Sequence, residues 1–350
     1  MTRRSLSVDA AIVGGGISGL WIANLLIQRG LSVVVCEPRG IGGVQTLASQ
    51  GIVHGGTKYG LDGTAPLAGA LKQMPDRWRA CLGGIGELDL RGVGVLAEQI
   101  DFRLGDETVE VADFVLDVPS LVRRLARPIT TRTVATTVLP DSMVGDGRGV
   151  KRIELDACTI RARVYVLAAG AGNATLAEQA GFSHARLRHR PLRQTIVRLR
   201  RRAFVYAHWM SSARDAEPTL TVTSHGCLLS IGGAVADTGA NRDEAAQIGL
   251  VKDSLRQAFP DIDVGNAGFE TFVAVRAEPA PDAIRDLPDA YVARHGNCLL
   301  CLPVKLSLAP RLGDLVLAEL GNLEPAEDSF SGDPNSPLAY ATSPYTGLPC

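Results

Sequence analysis

The chain opens on three apolar runs: residues 8–13 are aliphatic apart from Asp9, 17–28 are apolar over the length of a helix, and 32–36 are again short and aliphatic. Short continuous runs of this kind predict strands buried on both faces, and a helix between them completes a βαβ unit. Residues 39–63 break the pattern with glycines, which marks a functional loop. The stretch 66–81 is helical and partly amphipathic, and Val118-Pro119-Ser120 opens a helix that carries Leu121, Val122 and Leu125 on one face. Strands predicted at 133–139 and 150–155 flank Gly145-Asp146-Gly147 as a hairpin. A further strand at 159–167 runs into the small-residue turn Ala168-Ala169-Gly170-Ala171-Gly172, a second place where backbones approach closely. Residues 184–202 and the alternating segments 219–223 and 227–231 predict an antiparallel sheet. A helix follows at 244–259, then a buried strand at 298–302 and a last helix at 306–320. Residues 323–350, rich in Pro, Ser, Gly and Asp, lack apolar periodicity and are expected to be disordered.

The length of 350 residues corresponds to about two domains. With 36 Lys+Arg against 37 Asp+Glu the formal charge is −1, so a whole-molecule attraction to nucleic acid or acidic lipid is not expected. The longest apolar region, 10–36, is interrupted by Gln28, Arg29 and Gly30, and no membrane span is expected. The start lacks the apolar core of a signal peptide, which predicts a cytoplasmic protein. The seven cysteines follow no repeated spacing, which argues for reduced thiols. Cys298 and Cys301 have C-x-x-C spacing, but Leu-Leu between them and the absence of a second pair make them core residues; no metal site is expected.

Gly14-Gly15-Gly16-Ile17-Ser18-Gly19 places G-x-G-x-x-G between a predicted strand and a predicted helix, the context in which that match has physical meaning. Gly14 permits the tight turn, Gly16 lets a pyrophosphate reach the backbone, and Gly19 lets helix and strand pack closely, with phosphates facing the helix N-terminus. Glu37, ending the next strand, is suited to ribose hydroxyls. An adenine dinucleotide follows. NAD and FAD share this fingerprint, and the recurrence of dinucleotide-fold pieces at 159–172 and 298–320 around a β-rich insertion favours FAD. An NAD enzyme without flavin stays open as an alternative.

On these blocks the sequence resembles the D-amino-acid oxidase-like superfamily of FAD-dependent oxidoreductases over roughly residues 8–320. Within it, Ile52-Val53-His54-Gly55-Gly56-Thr57-Lys58-Tyr59 resembles the I-H-G-G-L-R-Y segment of FAD-dependent glycerol-3-phosphate dehydrogenases, with Lys58 in place of the arginine. Val275-Arg276 resembles their V-R-P segment, and Lys305-Leu306-Ser307 their G-G-K-L-T-T loop, with Pro303-Val304 in place of Gly-Gly. The resemblance implies an α/β fold in which a discontinuous Rossmann-like FAD domain (1–75, 118–183 and 296–322) carries an inserted antiparallel β-sheet substrate domain (76–117 and 184–295). It implies that FAD is held by Gly14, Gly16, Ile17, Ser18, Gly19, Glu37, Pro38, Arg39, Gly43, Thr46, Ser49, Gln50, Gly51, Ala169, Gly170, Lys305, Leu306 and Ser307.

The expected chemistry is transfer of a hydride from a CH–OH carbon of a small anionic substrate, such as a 2-hydroxy acid or polyol phosphate, to the flavin. Arg276, with its planar fork, is the expected anion clamp, joined by Lys58 and Tyr59. His54 reads either as the proton acceptor or as a loop histidine that contacts the flavin or its phosphates without taking a proton, and Lys305 adds positive charge beside the flavin. An amine or amino-acid oxidase is the alternative. The electron acceptor, whether oxygen, a quinone or a protein, is not legible, and peripheral membrane contact stays open. From His184 to Arg202 there are eight arginines and no acid. They read either as a solvated strand face, with Arg198, Arg200 and Arg202 aligned, or as the docking site of a protein partner that the flavin subunit needs for activity. No aromatic stacking pattern accompanies them, so nucleic acid is not expected.

Overall fold

The structure is a computed structural model that describes residues 4–57, 66–183, 185–211, 219–280, 289–326, 328–330 and 339–345. The aliphatic runs place the strand Arg4–Val13 in parallel between Val33–Cys36 and Cys158–Leu167. Thr133–Val134 extends one side and Cys298–Leu302 the other, both parallel, and Tyr291–His295 closes that edge antiparallel. Side chains alternate across such a sheet. Ala10 and Ile12 accordingly face the helices Ile17–Gln28, Val118–Ala126 and Ala309–Leu320 through Trp21, Leu121, Leu125 and Leu312. Ala11 and Val13 face the opposite way, with Tyr165, Leu167 and Leu176.

A second, seven-stranded sheet runs in the order Gly268–Pro279, Leu187–Arg198, Leu228–Gly232, Leu220–His225, Tyr206–Met210, Ile100–Leu104 and Glu107–Val111. One of its faces, with Val197, Leu220, Val222, Leu229 and Ile231, buries against Val251 and Leu255 of the helix Glu244–Ala258. That helix begins where Asp243 accepts the Ala246 N–H at 2.7 Å. The other face carries Phe272 opposite Gln194, Ile196 opposite Ser230, Ser230 opposite Thr223, and Leu228 opposite His225. Arg276, four residues from Phe272 along the same strand, shares this face.

A short sheet of Ile52–Val53, Phe114–Leu116 and Val95–Ala97 stands beside the larger two. Residues 76–90, assigned from sequence to the substrate domain, pack Trp78, Cys81, Leu88 and Leu90 into the same core as Trp21, whose ring lies 4.9 Å from that of Trp78. Tyr291–His295, assigned to the same domain, belongs to the parallel sheet.

Three further expectations change. The hairpin around Gly147 forms between Met143–Gly145 and Val150–Glu154, whereas Thr133–Val134 pairs with Val35 and Cys36 instead. The reason is that the N–H groups of Val35 and Glu37, on the open edge of their strand, donate to the carbonyls of Arg132 at 2.9 Å and Val134 at 3.1 Å, and the chain then turns through Pro140–Ser142 to reach the hairpin. The tail is ordered over its described residues. Ser329 and Ser7 exchange hydrogen bonds, Asp328 pairs with Arg132 at 2.5 Å, and Tyr340 forms a parallel bridge to Ile41. Polar composition hid this, because the tail is held by pairing to existing backbone rather than by an apolar stripe of its own. Cys36, Cys81, Cys158, Cys298 and Cys301 are free buried thiols, but Cys227 is disulfide-bonded, against the expectation of reduced thiols throughout.

Candidate functional site

The first strand ends where Gly14 turns the chain with φ +112; a Cβ there would lie 2.4 Å from the Ala168 carbonyl oxygen. At Gly19 a Cβ would lie 1.9 Å from the Gly14 carbonyl oxygen, so only glycine lets this helix close on this strand. The helix Ile17–Gln28 starts on Gly16, which supplies no side chain across the helix end, and its first turn holds no acid. An open helix N-terminus of this kind attracts phosphate. Thr46 Oγ1 accepts the Ile17 N–H at 2.9 Å, brought there by the short helix Val44–Leu47 that follows Gly43.

Glu37 is buried at the end of the second strand and accepts from Gly15 N at 2.8 Å and Arg39 N at 2.9 Å. Two backbone donors thus fix its carboxylate beside the glycine turn, while Pro38 and Arg39 are exposed next to it. On the other side of the first strand, Ala169 donates to Asn173 Oδ1 at 2.8 Å, and Asn173 Nδ2 reaches the Cys301 carbonyl at 3.1 Å. Asn173, buried and unmarked by any motif, ties the Ala169-Gly170 turn to the last parallel strand. The two glycine turns therefore abut at the C-terminal edge of the sheet, where ligands of doubly wound folds bind.

The loop 49–51 leads from this edge to the second sheet. Gly51 donates to Ser49 Oγ at 3.3 Å, and the Gln50 amide donates to the carbonyls of Thr221 at 2.8 Å and Ser230 at 2.9 Å. Gln50 is thus a tether between sheets, and its donors are not available to a cofactor. His54 is 5% exposed and follows the strand Ile52–Val53, which packs against the turn Leu306–Leu308. Gly55 donates to Asp113 Oδ1 at 2.7 Å and fixes the chain after it. Lys58 and Tyr59 lie outside the described residues.

Lys305 and Leu306 precede the helix Ala309–Leu320, and Ser307 is held by Trp78, whose Nε1 donates to the Ser307 carbonyl at 2.9 Å. Val304 has φ +62, a left-handed backbone that a β-branched residue rarely adopts. The turn therefore keeps a glycine-like path where the sequence carries Pro303-Val304. Ser307 Oγ is 1% exposed and has no hydrogen-bond partner among the described residues. A buried hydroxyl in that state expects a polar guest. Together with the Gly16 cradle and the oriented Glu37, it fits a dinucleotide with its polar ring edge at this turn.

Three of the eight arginines in the stretch are in ion pairs. Arg188 and Arg190 both bind Glu278, which is 1% exposed; Arg190 also meets Asp237, and Arg198 meets Glu270. The strand stops at Arg198, so the common face expected for Arg198, Arg200 and Arg202 does not form, and residues 200–202 sit in an exposed loop. Among the described residues no helix is long and apolar enough to cross a membrane.

Comparisons with known proteins agree with this geometry. A family profile for FAD-dependent oxidoreductases, the DAO family, matches residues 9–112. The chain is 35% identical to a probable FAD-dependent oxidoreductase of Pseudomonas aeruginosa, over 96% of this chain and 97% of that one. The crystal structure of that protein superposes with a TM-score of 0.84 over 98% of each chain. A glycine oxidase from Geobacillus kaustophilus, at 17% identity, shares the fold with a TM-score of 0.69 over 93% of this chain and 97% of that one. The likeness to glycerol-3-phosphate dehydrogenase is local: 45% identity to the Pseudomonas aeruginosa enzyme over 51 residues, 15% of this chain and 10% of that enzyme. Fold, glycine turns and full-length likeness converge, and the chain belongs to the DAO family of FAD-dependent oxidoreductases, with FAD as its cofactor.

Proposed function

We propose that the substrate is a small organic anion oxidised at a CH–OH carbon, such as a 2-hydroxy acid or a polyol phosphate. The observation that carries this reading is Arg276 on the same face of the seven-stranded sheet as Gln194, Ser230 and Thr223, directly opposite Arg190 and four residues along its strand from the Phe272 that pairs with Gln194. A guanidinium there suits a carboxylate or phosphate by two parallel hydrogen bonds. Bound FAD supplies a hydride acceptor. Glu37, Thr46 and the Gly14–Gly16 turn hold its dinucleotide half, and Ser307, Lys305 and the helix opening at Ala309 favour negative charge at its ring. His54, buried beside that turn, takes the alcohol proton, a task matched to an imidazole near neutrality.

The test is an anaerobic titration of the holoenzyme with hydroxy acids, polyol phosphates and amino acids, followed at the flavin band near ~450 nm. Bleaching by a hydroxylated anion supports the proposal. In Arg276→Ala, loss of a charge-assisted pair worth ~2–3 kcal/mol lowers kcat/KM for that compound by about 30- to 150-fold with the flavin spectrum retained. Bleaching by amino acids alone replaces the alcohol reading with the amine one. A flavin that no compound bleaches points instead to a subunit that needs a protein partner, for which the exposed Arg200–Arg202 loop is the first surface to examine.

A further inference from the structure

The described end of the tail, 339–345, crosses the cofactor loop and ends inside the cleft between the two large sheets. Ile41 donates to the Ala339 carbonyl at 2.7 Å, and Ala341 donates back to the Ile41 carbonyl at 2.9 Å. The crossing is close: at Gly40, with φ +104, a Cβ would lie 2.8 Å from Ala341 N. From there the chain buries Ser343 and delivers Tyr345, 9% exposed, under the inward face of the seven-stranded sheet.

Tyr345 is bound from both sides of the cleft. Its hydroxyl donates to the Ala48 carbonyl at 2.8 Å and accepts from Ser230 Oγ at 3.0 Å, with the Gln194 amide oxygen 3.1 Å away. Ala48 belongs to the cofactor loop; Ser230 and Gln194 lie on the sheet face that also carries Arg276. The ring stacks on His225, with centroids 4.4 Å apart and planes 5° apart, and packs against Ile196 and Leu228. Burial pushes the phenol up from its ordinary range, which keeps it a hydrogen-bond donor.

We propose that Tyr345 controls access to the site: the 339–345 segment straps it across the cleft so that its ring walls one side of the flavin chamber and limits how readily anions reach it. This rests on the reading of that cleft as the substrate chamber. With the ring in place the side of the cleft between Ala48 and Ser230 is closed; without it that side opens and anions reach the chamber faster.

The probe is sulfite, a small anion that adds to oxidised flavin at N5 and bleaches its ~450 nm band whether or not the natural substrate is known. Stopped-flow mixing with the holoenzyme compares the wild type, Tyr345→Ala, Tyr345→Phe and a chain ended after Leu338. The expected result is sulfite association about tenfold faster or more in Tyr345→Ala and in the shortened chain, with Tyr345→Phe close to wild type because it keeps the stack on His225. FAD retention, read from the ratio of flavin to protein absorbance, separates an opened chamber from a lost cofactor. Association within about twofold of wild type in Tyr345→Ala, or in the shortened chain should the point variant not fold, overturns the proposal, as does equal acceleration in Tyr345→Phe. A failed substrate titration leaves this readout intact, so the two readings fail separately.

Discussion

The two ends of the cofactor site are built by different means. At the dinucleotide end, Gly14, Gly16, Gly19 and Glu37 lie within 24 residues of one another and are positioned by one strand, one turn and one helix. At the other end, Gln194, Ser230 and Tyr345 come from three separate segments that only tertiary packing brings within hydrogen-bond distance, and the strand before His54 meets the turn of Ser307 from a fourth and a fifth. The first end is a local motif that steric necessity enforces residue by residue. The second is a constellation, tolerant at each position and dependent on the whole fold.

The sharpest break at the local end is Gly19→Val. A Cβ 1.9 Å from the Gly14 carbonyl oxygen forces the helix off the strand, and the expected outcome is a chain without bound flavin or without a cooperative melt, read from the flavin to protein absorbance ratio and the thermal transition. Normal flavin content in that variant removes the case for steric enforcement.

An intermediate effect belongs to the chamber end and depends on pH. Burial, opposed by the Asp117 charge, pushes His225 from the ordinary 6.5 down to about 4. Between those values the unfolded chain takes up a proton that the folded imidazole declines. The contribution to stability is therefore full above pH ~6.5 and is lost as pH falls toward ~4, up to about 3 kcal/mol in all. Thermal melts across that range should show the Tm falling with acid, and His225→Asn should flatten the slope.

The smallest effect is expected at Val304. Relief of a left-handed backbone is worth ~1–3 kcal/mol, and removing a buried valine side chain loses ~1.5–3 kcal/mol. With these terms opposed, Val304→Gly should shift the Tm by no more than about 3 °C. A larger fall would mean that the turn before Lys305 is not strained.

Much of the dinucleotide end was legible because its chemistry is enforced by spacing. Gly14 and Gly19 have steric reasons that any chain with this strand and helix must satisfy, and Thr46 accepts the Ile17 N–H at the start of that helix. Gln50 shows the limit: its position in the cofactor loop was readable, but its amide donors bind Thr221 and Ser230, carbonyls some 170 residues further along whose proximity no local pattern states. Asn173 and Asp113 were missed for the same reason. Each is a lone polar residue whose role is to satisfy one backbone donor or acceptor after the chain has folded.

What the sequence determined by itself is the opening βαβ unit, the glycine turns and hence the class of cofactor, because hydrophobic runs and glycine spacing act over short range and admit few solutions. What only the tertiary structure decided is the chamber: which face of the seven-stranded sheet looks inward, which arginines are neutralised by Glu278 and Asp237, and that a polar tail returns to pair with Ile41 and bury Tyr345. Those outcomes rest on hydrogen bonds and packing between distant segments. Such contacts become favourable only after chain entropy has been overcome by the rest of the fold.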